Sequence, residues 1–302
     1  VFIVSLAFLV KASDWFVNGA EKIGIALGIP SFIIGVTIVA VGTSLPELAS
    51  SISAVTMGSS EIVAGNAIGS NITNILLVMG LVALVSKEKI VIKRNIMDVD
   101  MPMLVASSLI LWLVIADLKL TIVDAFILIA GMLIFLAYTF GKSDDDDSEE
   151  KTERQKVDWK TILLVVGSGA LIYFSATYTV QSIQNIAELL GIGTGVIALS
   201  LVALGTSLPE VLVSVTAARK GNTEIAFGNI VGSNIFNTFA VMSFPRFFGE
   251  IEIPAEIVEF SLPMMVGVTV LFAIMCLSSR ISRYEGMTLL LLYVVFMVGL
   301  FS

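Results

Sequence analysis

The side chains best suited to chemistry are two carboxylates, Glu47 and Glu210, each placed directly after a proline inside a long apolar stretch. The sextet GTSLPE surrounds both of them, at 42–47 and again at 205–210, 163 positions later. An ionisable group within hydrocarbon is costly and marks a functional site by default. Pro46 has no N–H and its ring crowds the carbonyl of Gly42, and Pro209 does the same to Gly205, so each helix is expected to break near the bilayer centre. Carbonyls freed around 40–43 and 203–206 need a neighbour, a water or a cation. Beside them stand the hydroxyls of Thr43 and Ser44, repeated as Thr206 and Ser207. All these groups are hard oxygen donors of the kind that Ca2+ gathers in sets of about six to eight. The chain has no histidine and one cysteine, Cys276, which removes the soft ligands of zinc and copper sites, disulfide scaffolds and His-based catalysis.

A second duplicated segment accompanies the first. GNAIGSN at 65–71 with Asn74 returns as GNIVGSN at 228–234 with Asn237. Ser70 and Asn74 lie four apart and share one helix face, as do Ser233 and Asn237. Gly65/Gly69 and Gly228/Gly232 permit a close approach to the helices that carry the carboxylates. Glu61 and Glu224 are duplicated too, but they follow Ser59/Ser60 and Asn222/Thr223 at helix starts, where capping and dipole complementation account for them. Lys11 and Asp14 on the first helix read as a snorkelling or paired couple.

The elements that must hold these groups are membrane helices. The chain of 302 residues is 57% hydrophobic and 14% charged, and its apolar runs reach the ~20 residues that cross a bilayer. Ten spans are expected, at 1–25, 31–56, 61–85, 97–116, 121–140, 159–185, 194–218, 223–245, 257–279 and 283–301. The chain enters its first apolar stretch at Val1, so the numbering is expected to begin within that helix, and no cleavable leader is evident. Five spans precede and five follow a hydrophilic stretch that includes Asp144–Asp147, Glu149 and Glu150. Because five is odd, the duplicated halves enter the membrane from opposite sides. The expected fold is thus an all-α polytopic membrane protein: an inverted pair of five-helix repeats, 1–140 and 159–302, joined by an acidic linker at 141–158, with broken second and seventh helices. If the N-terminus is outside, the connections on the inner side carry Lys22, Lys87, Lys89, Lys93, Arg94, Lys142, Lys151, Arg154, Lys156, Lys160, Arg219, Lys220, Arg280 and Arg283. Those on the outer side carry only Lys119 and Arg246. The positive-inside rule then predicts a multi-pass cell-membrane protein with both termini extracytoplasmic and the linker cytoplasmic.

Charge arithmetic suggests a mechanism. Two ionised glutamates are neutralised by one Ca2+ or by two Na+, and a third Na+ makes the exchange electrogenic. Ions that share the same carboxylates cannot be bound together, so a site opened alternately to each side exchanges one kind for the other. A proton/calcium antiporter is the alternative, since a midplane glutamate can itself carry protons; a passive cation channel lined by oxygens is a third choice. An enzyme is not expected.

GTSLPE followed by GNAIGSN-x-x-N, once per half, resembles the two alpha-repeats of the cation/calcium exchanger superfamily, and the ten-span form with a short linker resembles its prokaryotic sodium/calcium exchangers. The resemblance implies Na+/Ca2+ exchange with the transported ions as the only bound species, no cofactor, and the lipid bilayer as surroundings, without nucleic acid or a protein partner. Carried onto matching positions, it implies cation ligands from the carbonyls of Ala40 and Ala203, Thr43 and Thr206, Ser44 and Ser207, Glu47 and Glu210, Ser70 and Ser233, and Asn74 and Asn237. It also implies that the first and sixth helices, 1–25 and 159–185, move across this core as a gate. The proton-coupled branch carries a Glu in the pattern GNxxE, where this chain has Gly69 and Gly232, which favours sodium. Potassium-dependent relatives carry an Asp where this chain has Asn237.

Overall fold

The computed structural model describes residues 1–87, 90–92, 96–141, 157–189 and 205–300. Their helices are α1 Phe2–Leu27, α2 Ser31–Thr56, α3 Glu61–Val85, α4 Met101–Ile115, α5 Ile122–Gly141, α6 Trp159–Leu189, α7 Leu208–Arg219, α8 Thr223–Phe247, α9 Ile257–Cys276 and α10 Arg283–Leu300. Eight helices among the described residues are long and apolar enough to cross a membrane; α4 is shorter, and α7 is described only over its last part. The described helices match the expected spans within a few residues. The start of the seventh span, with Ala203, lies outside the described residues, as does most of the acidic linker.

Burial sorts the helices into an inner and an outer set. The apolar window of α8 is buried throughout and that of α3 to 72%, whereas those of α5 and α10 are buried to only 22%. A helix that is apolar on all sides yet mostly exposed suits a hydrocarbon surround, and its outward side chains, such as Leu133, Ile134, Leu291 and Val298, fit that setting. At the centre, α2 packs on α8 and α7 packs on α3, while α1 and α6 lie along each other at one side. The contact of α2 with α8 is backbone-close. A Cβ on Gly232 would stand 2.4 Å from the carbonyl oxygen of Val36, and one on Gly228 would stand 2.5 Å from that of Phe32. Only glycine allows this approach.

Two small antiparallel ladders join loops from different halves. β1 Ile90–Val91, between α3 and α4, pairs with β4 Arg280–Ile281, between α9 and α10. β2 Lys119–Leu120, between α4 and α5, pairs with β3 Ile251–Glu252, between α8 and α9. Moving either strand of the first half forward by 161 residues lands on its counterpart, so Ile90↔Ile281 becomes Ile251↔Leu120 and Val91↔Arg280 becomes Glu252↔Lys119. π-helical turns repeat in the same way: Asn74–Val78 matches Asn237–Val241, and Ile96–Asp100 matches Ile257–Ser261.

The expected break in the second helix is not observed. α2 continues through Pro46, and its irregularity lies upstream in a π-helical turn, Gly35–Val39, that leads into the α-helical segment Ala40–Thr56. An interior proline removes one hydrogen bond and can bend a helix without ending it. The π turn lies about two to three turns earlier, at 3.6 residues per turn. In the seventh helix the interruption falls at Ser207 (φ −83°, ψ 2°), directly before α7 resumes with Pro209 in its first turn.

Candidate functional site

Glu47 lies on α2 and Glu210 one residue after the proline of α7, and both are buried, at 0% and 1% exposure. Neither faces the outside of the bundle. The two carboxyl groups are near enough to interact through their charges, and α2 bridges them directly: Ser44 Oγ, one turn before Glu47, donates to Glu210 Oε1 at 3.0 Å. Around this pair the duplicated hydroxyls meet across the halves. Thr43 Oγ1 lies 3.5 Å from Ser233 Oγ, and the equivalent pair, Thr206 Oγ1 and Ser70 Oγ, lies at 3.4 Å. Hydroxyls from α2 and α8, and from α7 and α3, thus converge on the carboxylates. Asn74 and Asn237 are fully buried on the same faces, each opening a π-helical turn. Thr43 Oγ1 also lies 3.3 Å from the carbonyl oxygen of Ala40, so one of the two expected main-chain ligands is beside the cluster; Ala203 falls outside the described residues.

The electrostatics are unusual for a protein interior. Both oxygens of Glu47, Oε2 of Glu210, Oγ of Ser207 and the amide atoms of Asn74 and Asn237 are buried without a hydrogen-bond partner. Nearly all buried polar groups in folded proteins have a partner, and a buried charge left alone is costly. A set of oxygens in that condition, gathered around two carboxylates, fits hard cations. Among the described residues no group of three or more His, Cys, Asp or Glu side chains stands together, so the site differs from a multi-carboxylate or thiolate metal centre.

Sequence reasoning missed a supporting layer. Asn66 Nδ2 donates to Ser51 Oγ at 3.0 Å and to the carbonyl of Glu47 at 3.1 Å; Asn229 Nδ2 donates to Ser214 Oγ at 2.8 Å. All four side chains are buried. Their signal was present, because the asparagines belong to the duplicated motif, and Ser51 and Ser214 lie four residues beyond the glutamates on the same helix faces.

Other expectations resolve differently. Glu61 and Glu224 do occupy first turns, where they complement the helix dipole, but neither Ser60 nor Asn222 makes a side-chain cap hydrogen bond. Ser60 Oγ instead accepts from the backbone N–H of Glu252. Lys11 and Asp14 do not pair: Lys11 lies over the Trp15 ring, while Asp14 binds Lys220 at 3.0 Å. Lys220 also donates to the carbonyl of Asp14 and to Asn18 Oδ1, both at 3.0 Å. The loop after α7 offers Asp14 a fuller set of contacts than a neighbour on its own helix.

Comparison with known proteins agrees with this architecture. The family model described as sodium/calcium exchanger protein matches residues 1–141 and 160–302. The chain is 35% identical to the sodium/calcium exchanger MaX1 of Methanosarcina acetivorans, covering 100% of this chain and 97% of that protein. It is 36% identical to the putative antiporter CaxA of Alkalimonas amylolytica, over 99% and 97%. Among solved structures, the sodium-calcium exchanger NCX_Mj soaked with Na+ and Sr2+ superposes with a TM-score of 0.86 at 30% identity, covering 98% of this chain and 96% of that one. With membrane-length helices, a buried pair of glutamates and a family match over both halves, this chain belongs to the sodium/calcium exchanger family.

Proposed function

We propose that this protein is a secondary active antiporter that exchanges Na+ for Ca2+ by alternating access, both ions competing for one midplane site built on Glu47 and Glu210. The observation that carries this reading is the set of buried, unpartnered oxygens around two carboxylates that come from different halves of the chain. One Ca2+ or a pair of Na+ would neutralise the two charges, and neither combination leaves room for the other. The remaining ligands would be the carbonyls of Ala40 and Ala203 with Thr43, Ser44, Ser70, Asn74, Thr206, Ser207, Ser233 and Asn237. No cofactor is needed beyond the transported ions.

The same reading assigns ten spans in two inverted five-helix repeats, 1–140 and 159–302, with the 141–158 linker between them. The repeating ladders and π turns support it, since both follow the offset of the duplicated motifs to within two residues. The distribution of basic residues supports a cytoplasmic linker and extracytoplasmic termini in the cell membrane. The family relatives support sodium as the coupling ion.

Calcium uptake into proteoliposomes tests the proposal, with outward sodium, potassium or proton gradients imposed separately. Uptake driven by sodium, and lost in Glu47→Gln while the protein still elutes as a folded species, is the expected result. Uptake driven only by the proton gradient would replace sodium by protons. Flux that needs no counter-ion would replace exchange by a channel.

A further inference from the structure

We propose that Asn229 is a positioning residue for cation binding: its side-chain carbonyl takes the proton of Thr43 and so turns the lone pairs of that hydroxyl toward the ion, while Ser214 anchors the other end of the amide. The inference rests on the cation site proposed above and adds a residue outside its ligand set. A threonine hydroxyl has one proton to give. Acceptors around Thr43 Oγ1 include Asn229 Oδ1 at 3.1 Å, the Ala40 carbonyl at 3.3 Å and Ser233 Oγ at 3.5 Å, with the Glu210 carboxylate also neighbouring it; of the three at measured distance the amide is the nearest. A hydroxyl that has committed its proton elsewhere presents only lone pairs to a cation. One that still rotates presents its positive hydrogen part of the time.

The orientation of the amide follows from its duplicate. Asn66 Nδ2 meets the main-chain carbonyl of Glu47, a group that can only accept, and Ser51 Oγ. That fixes the Asn66 amide with its nitrogen toward the serine. Asn229 repeats the serine contact of that arrangement, Nδ2 toward Ser214 at 2.8 Å, which leaves Oδ1 for Thr43. Both ends of the Asn229 side chain are thereby used on protein groups, and Asn229 acts through Thr43 without touching the ion. The contact also crosses the halves, from α8 to α2, and Ser214 ties the same amide to α7 four residues beyond Glu210. Asn66 differs: its Oδ1 is buried without a hydrogen-bond partner.

A double-mutant cycle on calcium uptake in proteoliposomes tests this, using Thr43→Val, Asn229→Leu and the two together. Losing a hydrogen bond that orients an ion ligand should raise the Ca2+ concentration for half-maximal uptake in Asn229→Leu about 10-fold, with the maximal rate little changed. The double variant should be no worse than Thr43→Val alone, because the second change then has nothing left to act on. Losses that multiply in the double variant, or a fall in maximal rate without a change in half-saturation, would overturn the assignment. If Asn229→Leu does not fold, Ser214→Ala, which removes only the anchor, carries the same cycle with Thr43→Val and a smaller shift. Absence of sodium-driven uptake in the unmodified protein would sink the exchange reading itself; exchange with a multiplicative cycle would sink only the role of Asn229.

Discussion

On the α7 side of the site, Glu210 receives the Ser44 hydroxyl at 3.0 Å; on the α2 side, Glu47 has two oxygens without a hydrogen-bond partner, and Ser207, the duplicate of Ser44, has none either. Thr43 reaches Asn229, whereas Asn66 Oδ1 is left alone. The sequence at these positions is the same in both halves, and the backbone devices around them, ladders and π turns, repeat as well. Duplication therefore reproduces the frame and not the state of each side chain. Every hydroxyl has a single proton, and in a shared site the proton that goes to one half is withheld from the other.

The strongest test of that comparison is at the carboxylates. Glu47→Gln and Glu210→Gln should each lower sodium-driven calcium uptake at least about 100-fold, since removing one member of a buried charged constellation costs roughly 3–5 kcal/mol; substantial flux in either one would make the halves unequal in kind. The two serines should separate next. Ser44→Ala removes both an oxygen and the hydrogen bond to Glu210, whereas Ser207→Ala removes an oxygen only. Half-saturation for Ca2+ should rise about 10-fold more in Ser44→Ala, the worth of a hydrogen bond to a charged group, and equal shifts would mean that the asymmetry does not survive ion binding.

A packing change ranks third. Gly232→Ala forces a methyl group toward the Val36 carbonyl, which should destabilise the α2–α8 contact by about 1–3 kcal/mol and lower the thermal unfolding midpoint in detergent. The smallest effect belongs to Lys220. The repeat places Met57 at the equivalent position, and Thr177 opposite Asp14, so Lys220→Met makes the halves alike at that position and removes the ion pair. The ion pair is partly exposed, 28% and 35%, and such pairs are worth up to about 1 kcal/mol. A change in midpoint of no more than a few degrees is expected, with the unmodified protein losing the same increment in high salt.

Much of this was legible in the sequence because lipid restricts what a chain can do. Apolar runs of bilayer length gave helix positions within a few residues, and two glutamates inside such runs marked a candidate site whose two carboxylates the fold buries. The duplicated asparagines and serines behind the proposed ligands carried the same repeat signal as the glutamates, yet a polar residue that bonds only to other polar residues looks identical in sequence to one proposed to hold an ion. The location of the helix irregularity was not legible. Pro46 and Gly42 mark where a hydrogen bond is lost, but the irregular turn falls at Gly35–Val39, where α8 packs against it. The partner of Asp14 was equally hidden, since Lys220 is distant in sequence.

The two ladders have a mechanical consequence. They sit at opposite ends of α4 and staple loops of one half to loops of the other, so a shear between the halves would have to tear four residue pairs. A further tie, from Lys220 after α7 to Asp14, holds α1 to the second half. The stapled body thereby holds the two carboxylates, which come from different halves, in register with each other.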